Sequence, residues 1–291
     1  MYSCDDPAAV TSVGSTGPTV NDDSKHAYTL ELSEPERMRY RMMASLAREN
    51  EAELWEYSGI RPGARVADVG CGPGAVLTEI AQIVGPEGTV VGVEPGAPAR
   101  EAAREELDSL GLEHVEVREG AGEATGLDPG AWDCVMVRHV LTHTGDAAER
   151  IVAHLATLLA PGGHLYLVDV DLDATRLTPP DPDIQEQFER YAAFHRALGN
   201  DVRTGARLGM LLRAAGLEVA EHQGGFNRVP AMLLAGGGPL VSAQDAMIAE
   251  GILKTDEVEA WEAARQQFAA RPDAEMWFAT FIAIGRKPEG E

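Results

Sequence analysis

The segment Val66-Ala67-Asp68-Val69-Gly70-Cys71-Gly72-Pro73-Gly74-Ala75 constrains the fold most, because a short apolar run ends in an acid and breaks into alternating glycines. The pattern predicts a β-strand running into a ligand-binding turn and a helix starting near Val76. Glycines in such a turn let backbone N–H groups approach a ligand, and the positive end of the helix faces the same spot. A Gly-x-Gly-x-x-Gly/Ala match at Gly70, Gly72 and Ala75 raises a dinucleotide and hence a nicotinamide oxidoreductase reading. Asp68 and Pro73 oppose it: a carboxylate repels a pyrophosphate, and proline removes one N–H from the cradle. A ligand with an amino group and a sulfonium suits the acid better.

The spacing of the next acid sharpens this. After a helix over residues 76–84 and the turn Gly85-Pro86-Glu87-Gly88, the run Thr89-Val90-Val91-Gly92-Val93 predicts a second strand ending at Glu94. An acid at that tip accepts the two hydroxyls of a ribose, as in nucleotide-binding βαβ units. Together Asp68, Gly70-x-Gly72-x-Gly74 and Glu94 resemble the first two motifs of the class I S-adenosylmethionine-dependent methyltransferases.

Further landmarks extend the resemblance over residues 61–170. His114 to Glu119 alternates like a strand and leads into Gly120-Ala121-Gly122-Glu123, where the family usually carries an acid on the adenine. Ala121 occupies the usual acidic position, so backbone groups at Ala121 and Gly122, or the Glu123 side chain, are the expected adenine contacts. Trp132 to Leu141 resembles the family's fourth strand, which ends at the reaction site, and Leu159-Ala160-Pro161-Gly162-Gly163 resembles the turn before its fifth. The resemblance implies an α/β fold with a Rossmann-like, seven-stranded, mostly parallel sheet and helices on both faces. It also implies that the apolar run from Met276 to Gly285 is an antiparallel strand between two neighbours. Within the family the quinone-methylating and bacterial natural-product groups are the most similar.

Composition limits partners and compartment. With 47 acidic against 24 basic residues, the formal charge of −23 repels nucleic acid and anionic membranes, and favours a neutral or cationic small molecule. The arginines Arg100, Arg104 and Arg118 are expected to pair with nearby acids rather than to line a basic groove. Three widely spaced cysteines, Cys4, Cys71 and Cys134, form neither a disulfide framework nor a zinc site, and no metal is expected. No export or membrane-spanning signal is seen, and the expectation is a cytoplasmic enzyme with a homodimer as its candidate assembly.

Residues 1–27 lack periodicity and are expected to be a disordered leader. A helical cap over 28–60 follows, with Ser33 and Glu36 in a capping-box pattern. Next come the cofactor-binding core 61–170, a lid insertion 171–202 that leaves regular structure at Asp171-Leu172-Asp173 and Thr178-Pro179-Pro180, and a C-terminal part 203–291. That part contains a helix ending at Gly216, a strand over 217–220 and a helical insertion at about 230–272.

Methyl transfer needs alignment and exclusion of water, and a base only when the acceptor must lose a proton. His139, at the end of the fourth strand, is the leading base candidate, with a backbone-satisfied turn histidine as the competing reading. His143 reads as structural. His195, with Tyr191 and Phe188 on its helical face, is a second catalytic candidate, and Asp169, after the fifth strand, a third. Cofactor contacts are assigned to Tyr28, Asp68, Gly70, Gly72, Gly74, Glu94, Ala121, Gly122, Glu123 and Arg138. The expected reaction is transfer of a methyl group to an oxygen or nitrogen of a small molecule of secondary metabolism. Methylation of carbon, and cyclisation without methyl transfer on the same fold, are the alternatives.

Overall fold

The computed structural model describes residues 34–235 and 238–290. The leader 1–27, Tyr28 and Ser33 lie outside the described residues. Seven strands form one sheet in the order β3-β2-β1-β4-β5-β7-β6, built from β1 (Arg65–Val69), β2 (Thr89–Val93), β3 (Glu116–Arg118), β4 (Trp132–Arg138), β5 (Leu159–Thr178), β6 (Glu218–Pro230) and β7 (Glu275–Arg286). The β3 to β5 half is parallel, and β7 runs antiparallel between β5 and β6 as expected.

Alternation along each strand divides the core. Ala67, Val69, Val135, Val137, Leu165 and Leu167 face α4 (Ala148–Leu158) and α6 (Thr204–Ala214). Val66, Cys134, Met136, Tyr166 and Val168 face the other layer, where α1 (Glu34–Tyr57), α2 (Ala75–Val84) and α3 (Ala97–Ser109) pack. A period of two assigns Asp68, in register with Met136, to this second face together with Arg138. That alternation decides the electrostatics of the site.

Two stretches depart from expectation. Residues 171–178 continue β5 as strand, because β7 offers pairing partners: Asp171 opposes Ala279 and Arg176 opposes Trp277, with a bulge between. Likewise β6 runs on to Pro230 along β7 instead of stopping at residue 220. The helical stretch toward residue 270 is divided into α7 (Pro239–Ser242), α8 (Gln244–Ala249) and α9 (Val258–Ala269). The three extended strands project beyond the parallel core. On their projection sits a separate apolar cluster that includes Leu177, Met276 and α9 residues Trp261 and Phe268. It also takes Ile184, Phe188, Tyr191 and Phe194 from α5 (Pro182–Ala197). Gly216 ends α6 with φ +78°, matching its expected C-cap role.

Candidate active site

The glycine turn closes at the carboxyl ends of β1 and β2. Gly70, Gly72 and Gly74 all have positive φ, at 77°, 53° and 85°. Two of them are also fixed by close approach: a Cβ on Gly70 would lie 2.4 Å from a Val140 methyl, and one on Gly74 would lie 2.9 Å from Ala103. A Cβ on Gly72 would meet nothing within 4 Å, so this glycine borders open space, as a ligand cradle requires.

Glu94 frames the cradle from the tip of β2. Its carboxylate accepts the Gly72 N–H at 3.1 Å and the Gly96 N–H at 2.8 Å. Arg100 holds that tip by donating to the Glu94 carbonyl at 2.9 Å and the Pro95 carbonyl at 2.6 Å while pairing with Glu119 at 2.8 Å. Arg118 pairs with Glu116, and Arg104 donates to the Val117 carbonyl, so these three arginines are committed locally and line no basic groove.

Asp68 is 2% exposed. Burial pushes its carboxyl up to about 7, opposed by Arg138 and reinforced by Glu94. Arg138 is not free to hold a cofactor carboxylate: its two terminal nitrogens donate to Glu51 of α1, each at 2.8 Å. Glu51 also accepts the Tyr166 hydroxyl at 2.9 Å and the Trp55 indole N–H at 3.2 Å. Nothing in the residue pattern singles out Glu51, one acid among many on an amphipathic helix. Its role appears only when α1 is laid against β4 and β5.

On the expected adenine side, Ala121 spends its backbone on a turn, donating to Ala124 at 3.3 Å and accepting from it at 2.9 Å. Glu123 pairs with Arg150 at the surface. Of the three residues expected there, Gly122 keeps its backbone groups out of this turn. Its lack of a side chain is set by Ile151, 2.9 Å from where a Cβ would lie.

The three catalytic candidates fare differently. His139 is the one non-glycine with positive φ among the described residues, at 56°, a strained geometry of order 1–3 kcal/mol. Its N–H donates to the Val168 carbonyl at 2.8 Å, and burial, helped by Arg138, His143 and Arg39, lowers the imidazole to about 3. It stands neutral at the tip of β4. Asp169 is fully buried, with one oxygen accepting the Thr142 N–H and the other the Val170 N–H, both at 2.9 Å. Both bonds tie it to the turn after β4, so the structure places it inside that turn rather than against open space.

His195 is 1% exposed, and its proton can be placed. Asn200 Oδ1 accepts the Gly145 N–H at 3.1 Å, which turns its amide nitrogen toward His195 Nδ1, 3.1 Å away. Nδ1 thus accepts, and the neutral ring carries its hydrogen on Nε2. Burial lowers this imidazole to about 4, so it stays neutral at physiological pH. His195 is a donor, not a base. His143 packs its ring 4.9 Å from that of His195, in keeping with its structural reading.

Comparison with known proteins gives this geometry a family. A model of the methyltransferase domain matches residues 36–222. The chain belongs to this methyltransferase family, whose cofactor is S-adenosylmethionine. It is 39% identical over 107 residues to nocamycin O-methyltransferase of Saccharothrix syringae, covering 37% of this chain and 38% of that protein. It is 24% identical over 174 residues to a ubiquinone/menaquinone biosynthesis C-methyltransferase of Hahella chejuensis, covering 58% and 67%. An uncharacterized transposon protein of Streptomyces fradiae is 31% identical over 173 residues, 60% of this chain and 49% of that one. The chain thus spans about half or less of two of these three relatives. The fold is shared with the [4+2]-cyclase SpnF, at TM-score 0.52 and 20% identity over 86% of this chain and 81% of that one. Among the described residues no helix is long and apolar enough to cross a membrane.

Proposed function

We propose that this chain transfers a methyl group from S-adenosylmethionine to an acidic oxygen, such as that of an enol or phenol, on a small molecule. The observation that carries the reading is the open glycine cradle between two acids, Asp68 and Glu94, with the neutral His139 at the neighbouring strand tip. The cradle fits the cofactor chemically. Buried Asp68 would hold the ammonium of the methionine part, Glu94 the ribose hydroxyls, and backbone at Gly72 and Gly122 the remaining polar edges. When bound, S-adenosylmethionine supplies a methyl carbon activated by a positive sulfur.

The chain's own contribution is alignment and a dry site. An imidazole lowered to about 3 is a weak proton acceptor, and general-base catalysis works best with a pKa near the working pH. His139 is therefore suited to accept a hydrogen bond from an acceptor that ionises readily, and unsuited to deprotonate an aliphatic alcohol. The similarity to an O-methyltransferase supports oxygen as the acceptor atom. The likeness to a cyclase supports a second reading, in which the fold binds the cofactor while the substrate cyclises unmethylated.

Incubation with methyl-labelled S-adenosylmethionine and a panel of enols, phenols, amines and alcohols tests the assignment. Label is expected in products of the first two classes, with stoichiometric release of S-adenosylhomocysteine. Conversion of a substrate without label would replace methyl transfer by the second reading.

A further inference from the structure

Two arginines are buried among the described residues, and they are treated in opposite ways. Arg100 has Glu119 at 2.8 Å. Arg265, on α9 and 3% exposed, has no carboxylate within ion-pair distance among the described residues. One of its terminal nitrogens donates to Gln187 Oε1 at 3.0 Å, while its buried Nε–H has no acceptor among the described residues. The acid felt electrostatically, Glu262, is exposed one turn back on α9 and accepts from Gln266 instead. In a chain with 47 acids and 24 basic residues, an unpaired buried guanidinium is costly and conspicuous.

A second buried donor without an acceptor among the described residues lies on α5, the helix that Arg265 contacts through Gln187. Gln187, Tyr191 and His195 are all buried and recur every fourth residue along α5, so they form one stripe. At one end, Gln187 is held by Arg265 and donates to the Trp261 carbonyl at 3.1 Å. At the other, His195 presents its Nε2–H, which is buried and without an acceptor among the described residues. Eight residues at 1.5 Å rise separate the two ends by about 12 Å. The α5 stripe therefore ends in an N–H donor on one side and a charged N–H donor on the other.

We propose that this stripe binds the methyl acceptor, with His195 donating to an oxygen near the reacting centre and Arg265 to an anionic oxygen group at the far end. The ligand class is an elongated, oxygen-rich acid, and the proposal rests on the methyl-transfer reading of the site. Recognition by donors alone explains why neither His195 nor Arg265 is given an internal acceptor. A ligand that brings both acceptors removes two desolvation costs at once.

The test uses the full chain loaded with S-adenosylhomocysteine, so that binding is read without turnover. Probes are rigid para-hydroxybiaryl rods ending in a carboxylate, a phosphonate or a neutral carboxamide, titrated by calorimetry. The carboxylate or the phosphonate is expected to bind at least tenfold tighter than the carboxamide, and the better of the two defines the anion. Arg265→Met is expected to abolish that preference and, by removing an unpaired buried charge, to raise the Tm of the unliganded protein. Gln187→Glu is expected to supply an internal carboxylate, block the acidic probes and leave S-adenosylhomocysteine affinity within twofold. Equal binding of acid and amide, retention of the preference in Arg265→Met, or a fall in Tm for that variant would each overturn the proposal. Failure of S-adenosylhomocysteine itself to bind would instead remove the methyl-transfer reading.

Discussion

Asp68 concentrates the residue-scale chemistry. Its carboxyl is buried, rises to about 7, and shares its sheet face with Arg138, whose charge Glu51 has already claimed. Only the ionised form attracts the cofactor's ammonium. Affinity for S-adenosylmethionine is therefore expected to be full above pH 8 and to weaken as pH falls through 7, approaching tenfold per unit below it. Asp68→Asn is expected to bind weakly and to flatten that profile, as calorimetry at pH 6, 7 and 8 would show; an unchanged slope would detach the profile from Asp68. His139 carries the converse expectation. With its imidazole at about 3, turnover at saturating cofactor should show no inflection near pH 6.5, and an inflection there would assign the proton transfer to a different histidine state. His139→Ala is expected to lower kcat more than cofactor affinity, since the ring stands at the tip of β4 while Asp68, Glu94 and the glycines frame the cradle.

At the scale of elements, α1 is bound to the sheet by a buried polar junction. The Glu51 and Arg138 side chains are 10% and 14% exposed, and Trp55 and Tyr166 satisfy Glu51 further. Glu51→Gln leaves Arg138 without its anion, so about 3 kcal/mol of stability should be lost, against about 1 kcal/mol for Tyr166→Phe. Denaturant midpoints at constant slope measure both, and equal small losses would show that the junction is solvated. The β1, α2 and β2 elements were legible in sequence because each is specified locally: an apolar alternation, a glycine turn, an acid at a strand tip. The extensions of β5 and β6 were not, because β7 creates them from about a hundred and about fifty residues away, overriding the break suggested by Asp171-Leu172-Asp173 and carrying β6 past residue 220. The same distance hid half of the site. Asp68, Glu94 and the glycines lie within one βαβ unit, whereas Glu51 meets Arg138 across 87 positions and Gln187 meets Arg265 across 78.

For the whole molecule, a charge of −23 and a donor-lined stripe in α5 pull an acidic ligand in opposite directions. The general field acts during approach, when the ligand is still separated from the surface by solvent, and it is screened over roughly 8 Å at physiological salt but roughly 30 Å at 0.01 M. The donors Arg265 and His195 act only after the ligand is desolvated against α5, where salt screens little. Association and dissociation should therefore respond differently to ionic strength. For a carboxylate rod, stopped-flow association is expected to accelerate as salt rises from 0.01 to 0.15 M, because repulsion by the acidic surface is relieved, while dissociation stays nearly constant. The carboxamide rod should show no such acceleration. An association rate that fell with salt would mean that a local positive field guides the ligand, despite the local pairing of Arg100 and Arg118 and the burial of Arg265. The acidic surface then acts as a filter on approach, and selection for the anion is made inside, by a guanidinium without a carboxylate of its own.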